Sequence, residues 1–348
     1  MAALLGCHAS PNTKGKKIGI AFPPAELIRW SNDGKYLKKK SEDRGYRVDL
    51  RYASNNDVEV QSQQIEELIN NGCDILVITA VDASSLNSVL AKAADIGIPV
   101  IAYDRLLMYT DAVSYYVTFD NSSPGKLHGT YIEEKLKLKA GGNSYNIEFF
   151  SDFSRERNTA IDYFQTNVLR ILQPYLDSGV LKCPSGQIEG ASVLETYWSS
   201  QAAYARMKEL IVDNNYGVDG IRLDAVICAT DTIAQGVSLA LVEAGYSPDN
   251  FPVITGQDCE IISVNNIIAG TQTMSLFYDT LLLIDGLTDI IEALSAGQEP
   301  FTNDKTNYDN GRVIVPTLAI KPLAVTIDNY REKLIDSGYY TQEQLKQQ

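Results

Sequence analysis

The sequence predicts an α/β protein built as two doubly wound, parallel-sheet lobes. Three observations carry that expectation. From residue 16 onward short apolar runs alternate with amphipathic stretches, the pattern of parallel strands joined by crossover helices. The alternation changes register after Asp120-Asn121 and then runs through a second α/β set. Finally, 348 residues of which 45% are hydrophobic and 21% charged can bury a large core and suit two domains.

The first strand is KIGIAF, within 16–22, followed by a helix over 30–44 that ends at Gly45 and by the strand YRVDLRY (46–52). In VEVQSQQIEELINNG (58–72), Val60, Ile65, Leu68 and Ile69 fall largely on one face and Gly72 stops the helix. CDILVIT (73–79) is a buried strand, SSLNSVLAKAADIG (84–97) a helix, PVIAYD (99–104) a strand and VSYYVTFD (113–120) another. The second set opens with a helix through GKLHGTYIEEKL (125–136), the strand NIEFFSD (146–152) and the helix NTAIDYFQTNVLRIL (158–172). It continues with a strand around 190–197, the helix QAAYARMKELIV (201–212), DAVICATD (224–231), the helix TIAQGVSLALVEAG (232–245) and PVITGQD (252–258). The last part holds a strand TQTMSLFY (271–278), a helix LLLIDGLTDIIEALSAG (281–297), a strand-like VIVPTLAI (313–320) and a helix from about 328.

A net charge of −14 repels phosphate backbones and anionic headgroups, and the short basic run KYLKKK (35–40) reads as a solvated helix face. Nucleic acid is therefore not an expected partner. The five cysteines, Cys7, Cys73, Cys183, Cys228 and Cys259, show no C-x-x-C spacing, and with only His8 and His128 beside them no zinc or iron site assembles. Cys73 and Cys228 read as buried small hydrophobes. Cys228 and Cys259 each follow a strand, and the sequence leaves both a disulfide and two free thiols open. Asp213-Asn214-Asn215 near Asp219 hints at a calcium loop, but the closing Glu is absent, so no metal and no cofactor are expected. Leu4-Leu5-Gly6-Cys7 has the form of a bacterial lipoprotein cleavage site, which makes Cys7 a candidate for lipid attachment and the segment before it the remnant of an export signal. HASPNTKGKK (8–17) has the composition of a flexible tether. No run of roughly eighteen apolar residues occurs, so no transmembrane helix is expected.

The two tryptophans, Trp30 and Trp198, each follow the end of a strand, one in each half of the chain. In open α/β sheets the carboxyl ends of strands are where ligands bind. Polar or aromatic groups close nearly every strand: Arg29-Trp30, Asp104-Arg105, Asp120-Asn121, Thr230-Asp231 and Gln257-Asp258. That mixture suits a sugar, whose hydroxyls both donate and accept and whose C–H faces lie on aromatic rings.

Segments GYRVDLRYASNN, QIEELINNGCDILVI, GIPVIAYDRLL, VTFDN, ITGQD and IKPLAVTIDNYREKLIDSGYY resemble the xylose-binding and multiple-sugar-binding periplasmic proteins, sugar receptors of ABC transporters. The resemblance implies the type I periplasmic binding fold, two lobes joined by three hinge crossings that close on a monosaccharide such as xylose, glucose, galactose or arabinose, without chemistry. It implies a tether over 1–15, an N-terminal lobe over 16–122 and 279–312, and a C-terminal lobe over 123–278 and 313–348. By position, Arg29 is expected to bond hydroxyls, Trp30 and Trp198 to stack, Asp104 and Arg105 to grip hydroxyls and ring oxygen, and Asn158, Asp231 and Asp258 to bond from the second lobe. Two departures stand out: the loop SDFSRERN (151–158) replaces a glycine-proline version, and Tyr278 stands where xylose-type relatives carry a lysine. The implied partners are an ABC permease or, alternatively, a membrane histidine kinase or chemoreceptor, and the implied location is outside the cytoplasm.

Each residue also has a plainer reading. Arg29 can be an exposed helix charge, Asp104-Arg105 a surface ion pair or cap, and Asn158, Asp231 and Asp258 helix caps. Asp120-Asn121 reads as a hinge and turn. A glycosidase would need two carboxyls flanking a scissile bond, whereas here carboxylates alternate with Arg and Asn. A sugar-responsive repressor would need a helix-turn-helix ahead of residue 16, which the polar residues there do not supply.

Overall fold

The computed structural model describes residues 15–151, 159–188, 199–217 and 219–345. The chain divides into two compact α/β units. The first runs to Phe119 and resumes over Asp279–Ile320; the second comprises Asp120–Tyr278 and resumes at Lys321. The chain thus passes from one unit to the other three times.

The first unit holds a six-stranded parallel sheet. Its strands β1 (Lys17–Phe22), β2 (Arg47–Tyr52), β3 (Ile75–Ile78), β4 (Val100–Tyr103) and β5 (Val113–Phe119) lie in the order β2-β1-β3-β4-β5. Helices α1 (Ile28–Asp43), α2 (Val58–Asn70), α3 (Asn87–Asp95) and α9 (Thr280–Ser295) pack around it. A sheet buried on both faces needs apolar side chains at successive positions, and β3 and β4 are buried at every residue. In α2 the carboxylate of Asp57 caps the amides of Glu59 and Val60, and Ile65 and Leu68 are fully buried. Basic side chains of α1 and the Arg44 that caps it are paired along the helix and onto α9: Lys39 with Asp43 (2.6 Å), Lys40 with Asp285, and Arg44 with Asp289 and Glu292 (both 2.9 Å).

The sixth strand corrects the sequence reading. The run at 313–320 was assigned to the second lobe, but its strand, β11 (Thr317–Ile320), lies in the first unit, parallel to β5 from Thr317↔Tyr116 to Ile320↔Phe119. It completes the edge of β5, and its own outer edge is tied to Asn303 and Asp304 through backbone and side-chain bonds. An apolar run signals a buried parallel strand; it does not say which sheet has the vacant edge.

The second unit contains a parallel sheet of β6 (Tyr145–Phe150), β7 (Leu181–Lys182), β8 (Ala225–Cys228) and β9 (Val253–Ile254), in the order β7-β6-β8-β9. Its helices are α4 (Pro124–Lys135), α5 (Thr159–Asp177), α6 (Ser200–Asp213), α7 (Asp231–Glu243) and α8 (Ile261–Ala269). Two pairs of them approach closely through glycine. A Cβ on Gly125 of α4 would fall 2.1 Å from the Phe164 carbonyl oxygen, and one on Gly236 of α7 would fall 2.0 Å from that of Ser200.

Two further expectations change here. TQTMSLFY is a strand only at β10 (Ser275–Phe277), which pairs antiparallel with β12 (Leu323–Val325), a strand too short to show a period. The helix expected from about 328 is a single π-helical turn, Arg331–Asp336, stopped by Gly338 at φ 79°; beyond it the Tyr339 ring packs edge-on against Phe277 at 4.6 Å. The strand expected around 190–197 and the tether, Cys7 included, lie outside the described residues, apart from Gly15, whose carbonyl accepts from Arg47 at 3.0 Å. Cys73, Cys228 and Cys259 are buried free thiols and Cys183 a half-buried one, so Cys228 and Cys259 are not bridged.

Candidate ligand-binding site

The best-defined polar cluster lies at the carboxyl ends of β1 and β4. β1 ends at Phe22, and the first turn of α1 brings Arg29 and Trp30 over that edge. β4 ends at Tyr103, and Asp104 then adopts a left-handed φ of 64°, with the Arg105 amide donating across it to the Tyr103 carbonyl at 2.7 Å. Such a conformation is costly for a non-glycine residue and persists only when its surroundings over-determine it. They do: the Asp104 amide donates to Val117 (2.8 Å) and its carbonyl accepts from the Tyr116 hydroxyl (2.8 Å).

The turn delivers the Asp104 carboxylate to Arg29, whose Nη2 donates to Oδ1 at 2.6 Å. One helical turn on, Asp33 accepts from Arg29 Nε at 3.3 Å and from the Tyr103 hydroxyl at 3.0 Å. The Trp30 ring meets Phe22 edge-on, with centroids 6.2 Å apart, and Phe22 stacks on Tyr103 at 5.5 Å and 11°. The guanidinium groups of Arg29 and Arg105 sit 4.9 and 5.4 Å from the centre of the Trp30 ring.

Burial works against the Arg29 charge, but Asp104 and Asp33 outweigh it and hold the guanidinium more firmly protonated than usual. Burial lifts the Asp33 carboxyl above the ordinary carboxylate value, with Arg29 and the Tyr103 hydroxyl opposing. Burial and then Asp33 raise the Tyr103 hydroxyl, which stays a donor. The cluster is a fixed cation between two carboxylates, beside an aromatic ring.

Asp104 and Arg105 were expected to act together. The structure instead gives Asp104 to Arg29, while Arg105 Nη1 donates to the carbonyls of Ala80 (2.8 Å) and Val81 (3.4 Å). Neighbours in sequence after a strand point apart, so the pairing runs to another element. Asp33 and Tyr103 were not singled out as site residues. The Arg29-to-Asp33 spacing of one helical turn was the available signal for the first; nothing in the sequence marked the second.

Asp231 is a clear correction. It was expected to accept from a sugar, but it is fully buried, and both carboxylate oxygens are taken within its own unit. Oδ1 accepts from Gln272 Nε2 (3.0 Å), and Oδ2 accepts from the Glu260 amide (2.8 Å) and the Ser275 hydroxyl (2.8 Å). The cap of α7 is the neighbouring Thr230, whose hydroxyl accepts from the Ile233 amide. Asp231 thus ties the start of α8 and β10 to α7. Asp258 is exposed, at φ 100°, with its amide donating to Leu276 at 2.8 Å. Tyr278, half-buried just after β10, has its hydroxyl raised by burial, then by Asp258 and Asp120. Asp120 forms a turn, its carboxylate accepting from the Ser122 amide and hydroxyl. Asn158 and Trp198 lie outside the described residues. Among the described residues no cluster of His, Cys, Asp or Glu has the makings of a metal site.

Residues 18–299 match the periplasmic binding protein domain. The chain belongs to the periplasmic binding protein family. Within it, the chain is 40% identical to the multiple sugar-binding periplasmic protein of Azospirillum brasilense, covering 94% of this chain and 91% of that protein. The D-xylose-binding periplasmic protein of Escherichia coli is 31% identical over 99% of this chain and 96% of its own length. Among solved structures, an ABC transporter solute-binding protein from Clostridium phytofermentans with bound β-D-glucose shares 44% identity at a TM-score of 0.72, covering 95% of this chain and 100% of that one. Parallel sheets in two lobes, the arrangement described above, are the type I form of this family.

Proposed function

We propose that this chain is an extracytoplasmic solute-binding protein that captures a monosaccharide and delivers it to an ABC permease, without turning it over. The observation that carries this reading is the Arg29–Asp104 pair, 2.6 Å apart beside the Trp30 ring at the carboxyl ends of parallel strands, in a member of this family. An Arg cation and a carboxylate side by side present donors and acceptors to the alternating hydroxyls of a sugar, and the Trp30 ring, buried in this structure, backs the Arg29 guanidinium. Hydrogen bonds to charged groups contribute roughly 1.5–3 kcal/mol each, so three or four reach micromolar affinity, about −8 kcal/mol.

Glucose in the Clostridium phytofermentans structure, and the sugars in the names of the two relatives, support a pentose or hexose as the ligand. We assign binding to Arg29, Asp104 and Arg105 in the first unit, with the buried Trp30 ring behind the two guanidinium groups, and Asp258 and Tyr278 are the second unit's described candidates. Anchoring through an acylated Cys7 belongs to the same reading, and Cys7→Ala should then move the protein from the membrane to the soluble fraction.

A thermal-shift screen over xylose, glucose, galactose and arabinose tests the proposal. A ligand at a hundred times its dissociation constant adds about 2.7 kcal/mol of stability, so at least one sugar should raise Tm. No shift with any of the four, together with no heat on titration, would overturn it. Steady release of product from a glycoside, followed by NMR, would instead support a hydrolase.

A further inference from the structure

We propose that Asp33 and Tyr103 are positioning residues that lock the Arg29 guanidinium in one orientation and so fix which of its N–H groups meets the ligand; this rests on the sugar-binding reading of Arg29. The five groups involved form a closed circuit within the first unit. Arg29 lies over the Trp30 ring, Trp30 meets Phe22 edge-on, Phe22 stacks on Tyr103, the Tyr103 hydroxyl donates to Asp33, and Asp33 accepts from Arg29 Nε. Asp33 is 4% exposed and Tyr103 fully buried, so neither presents itself to a ligand. Their effect has to pass through Arg29.

A guanidinium is a planar fork of five donors, and holding two of its nitrogens fixes the direction of the third. Nε is held by Asp33 and Nη2 by Asp104, while among the described residues no acceptor is bonded to Nη1. Nη1 therefore keeps two N–H donors that diverge within a fixed plane, so the places where sugar oxygens can accept from them are set in advance. An arginine held only by Asp104 would swivel about that single contact, and the ordering cost would fall on ligand binding.

The test is Tyr103→Phe, which removes the hydroxyl but leaves the stack on Phe22, studied alone and with Arg29→Met. Calorimetry with the best-binding sugar should show affinity lowered by about five- to tenfold in Tyr103→Phe, as expected for one hydrogen bond that restrains a charged donor. In the Arg29→Met background the same substitution should have no further effect, whereas a purely structural role would weaken binding equally in both backgrounds. The Nε–H resonance of Arg29 in the sugar-free protein, assigned by its loss in Arg29→Met, gives a readout independent of ligand. It should exchange slowly in the parent and at least about tenfold faster in Tyr103→Phe. An Nε–H that exchanges equally in both proteins, an unchanged affinity, or additive losses would overturn the proposal. Protected Nε–H in a parent that binds no sugar would overturn the sugar reading alone.

Discussion

Asp104 and Asp231 follow the ends of parallel strands in the first and second unit and read alike in the sequence, yet the fold uses them in opposite ways. Asp104 sits after β4 on a left-handed turn and meets a single cation, Arg29, at the sheet's edge. Asp231 sits after β8, fully buried, with three neutral donors on its two oxygens. Burial lifts its carboxyl well above the ordinary value, opposed by Ser275, Gln272 and the Glu260 amide. A strand-end carboxylate is therefore a candidate for ligand binding only while the protein's own donors leave it capacity. Polar groups of the first kind should set affinity, and those of the second kind stability.

The largest effect expected from this contrast is on folding. Asp231→Ala would leave the Glu260 amide, the Ser275 hydroxyl and the Gln272 amide without their acceptor, and should cost roughly 3–5 kcal/mol in urea unfolding. A loss below about 1 kcal/mol would put Asp231 in the same class as Asp104. Asp104→Ala should show the reverse split: sugar affinity weakened by about 2–3 kcal/mol, with Tm changed by no more than a few degrees. A collapse of Tm would make Asp104 a fold residue too.

His128 extends the contrast to pH. It is fully buried with Nδ1 2.8 Å from the Thr255 hydroxyl, and burial pushes its pKa from 6.5 down to about 3. The unfolded chain therefore binds an extra proton between those values. The stability involved is present above about pH 6.5 and is lost as pH falls toward 3, by up to about 1.4 kcal/mol per unit. Between pH 7.5 and 5 this single group should cost about 2 kcal/mol, a loss that His128→Phe removes; equal acid sensitivity in the two proteins would locate the acid response elsewhere. The smallest effect is at Tyr278. A lysine there would lie within electrostatic reach of Asp258 and Asp120, and Tyr278→Lys should change the xylose-to-glucose affinity ratio by about 1 kcal/mol. A constant ratio in calorimetry would make Tyr278 a packing residue.

The alternation of apolar runs and amphipathic stretches was enough to place most strands and helices, because parallel sheets covered on both faces require it. Failures came where the decisive information is tertiary. β11 was given to the second lobe since its apolar run does not say which sheet has an open edge, and β12 is too short to have a period. The site shows the same limit. Arg29, Trp30 and Asp104 stood out because strand ends are informative, but the partner of Asp104 comes from α1 rather than from its neighbour Arg105. The use of Asp231 depends on Gln272 and Ser275, about forty residues away in the chain, which no local pattern connects to it.

Whether the first-unit cluster holds a sugar is decided by titration calorimetry of the parent and Arg29→Gln with D-glucose and D-xylose. The parent should give heat with at least one sugar at micromolar or tighter affinity, and a folded Arg29→Gln should lose roughly 2–4 kcal/mol, since the Asp104 and Asp33 carboxylates lose their cation and the sugar its charged donor. Equal affinity in the two proteins would contradict sugar binding by the cluster.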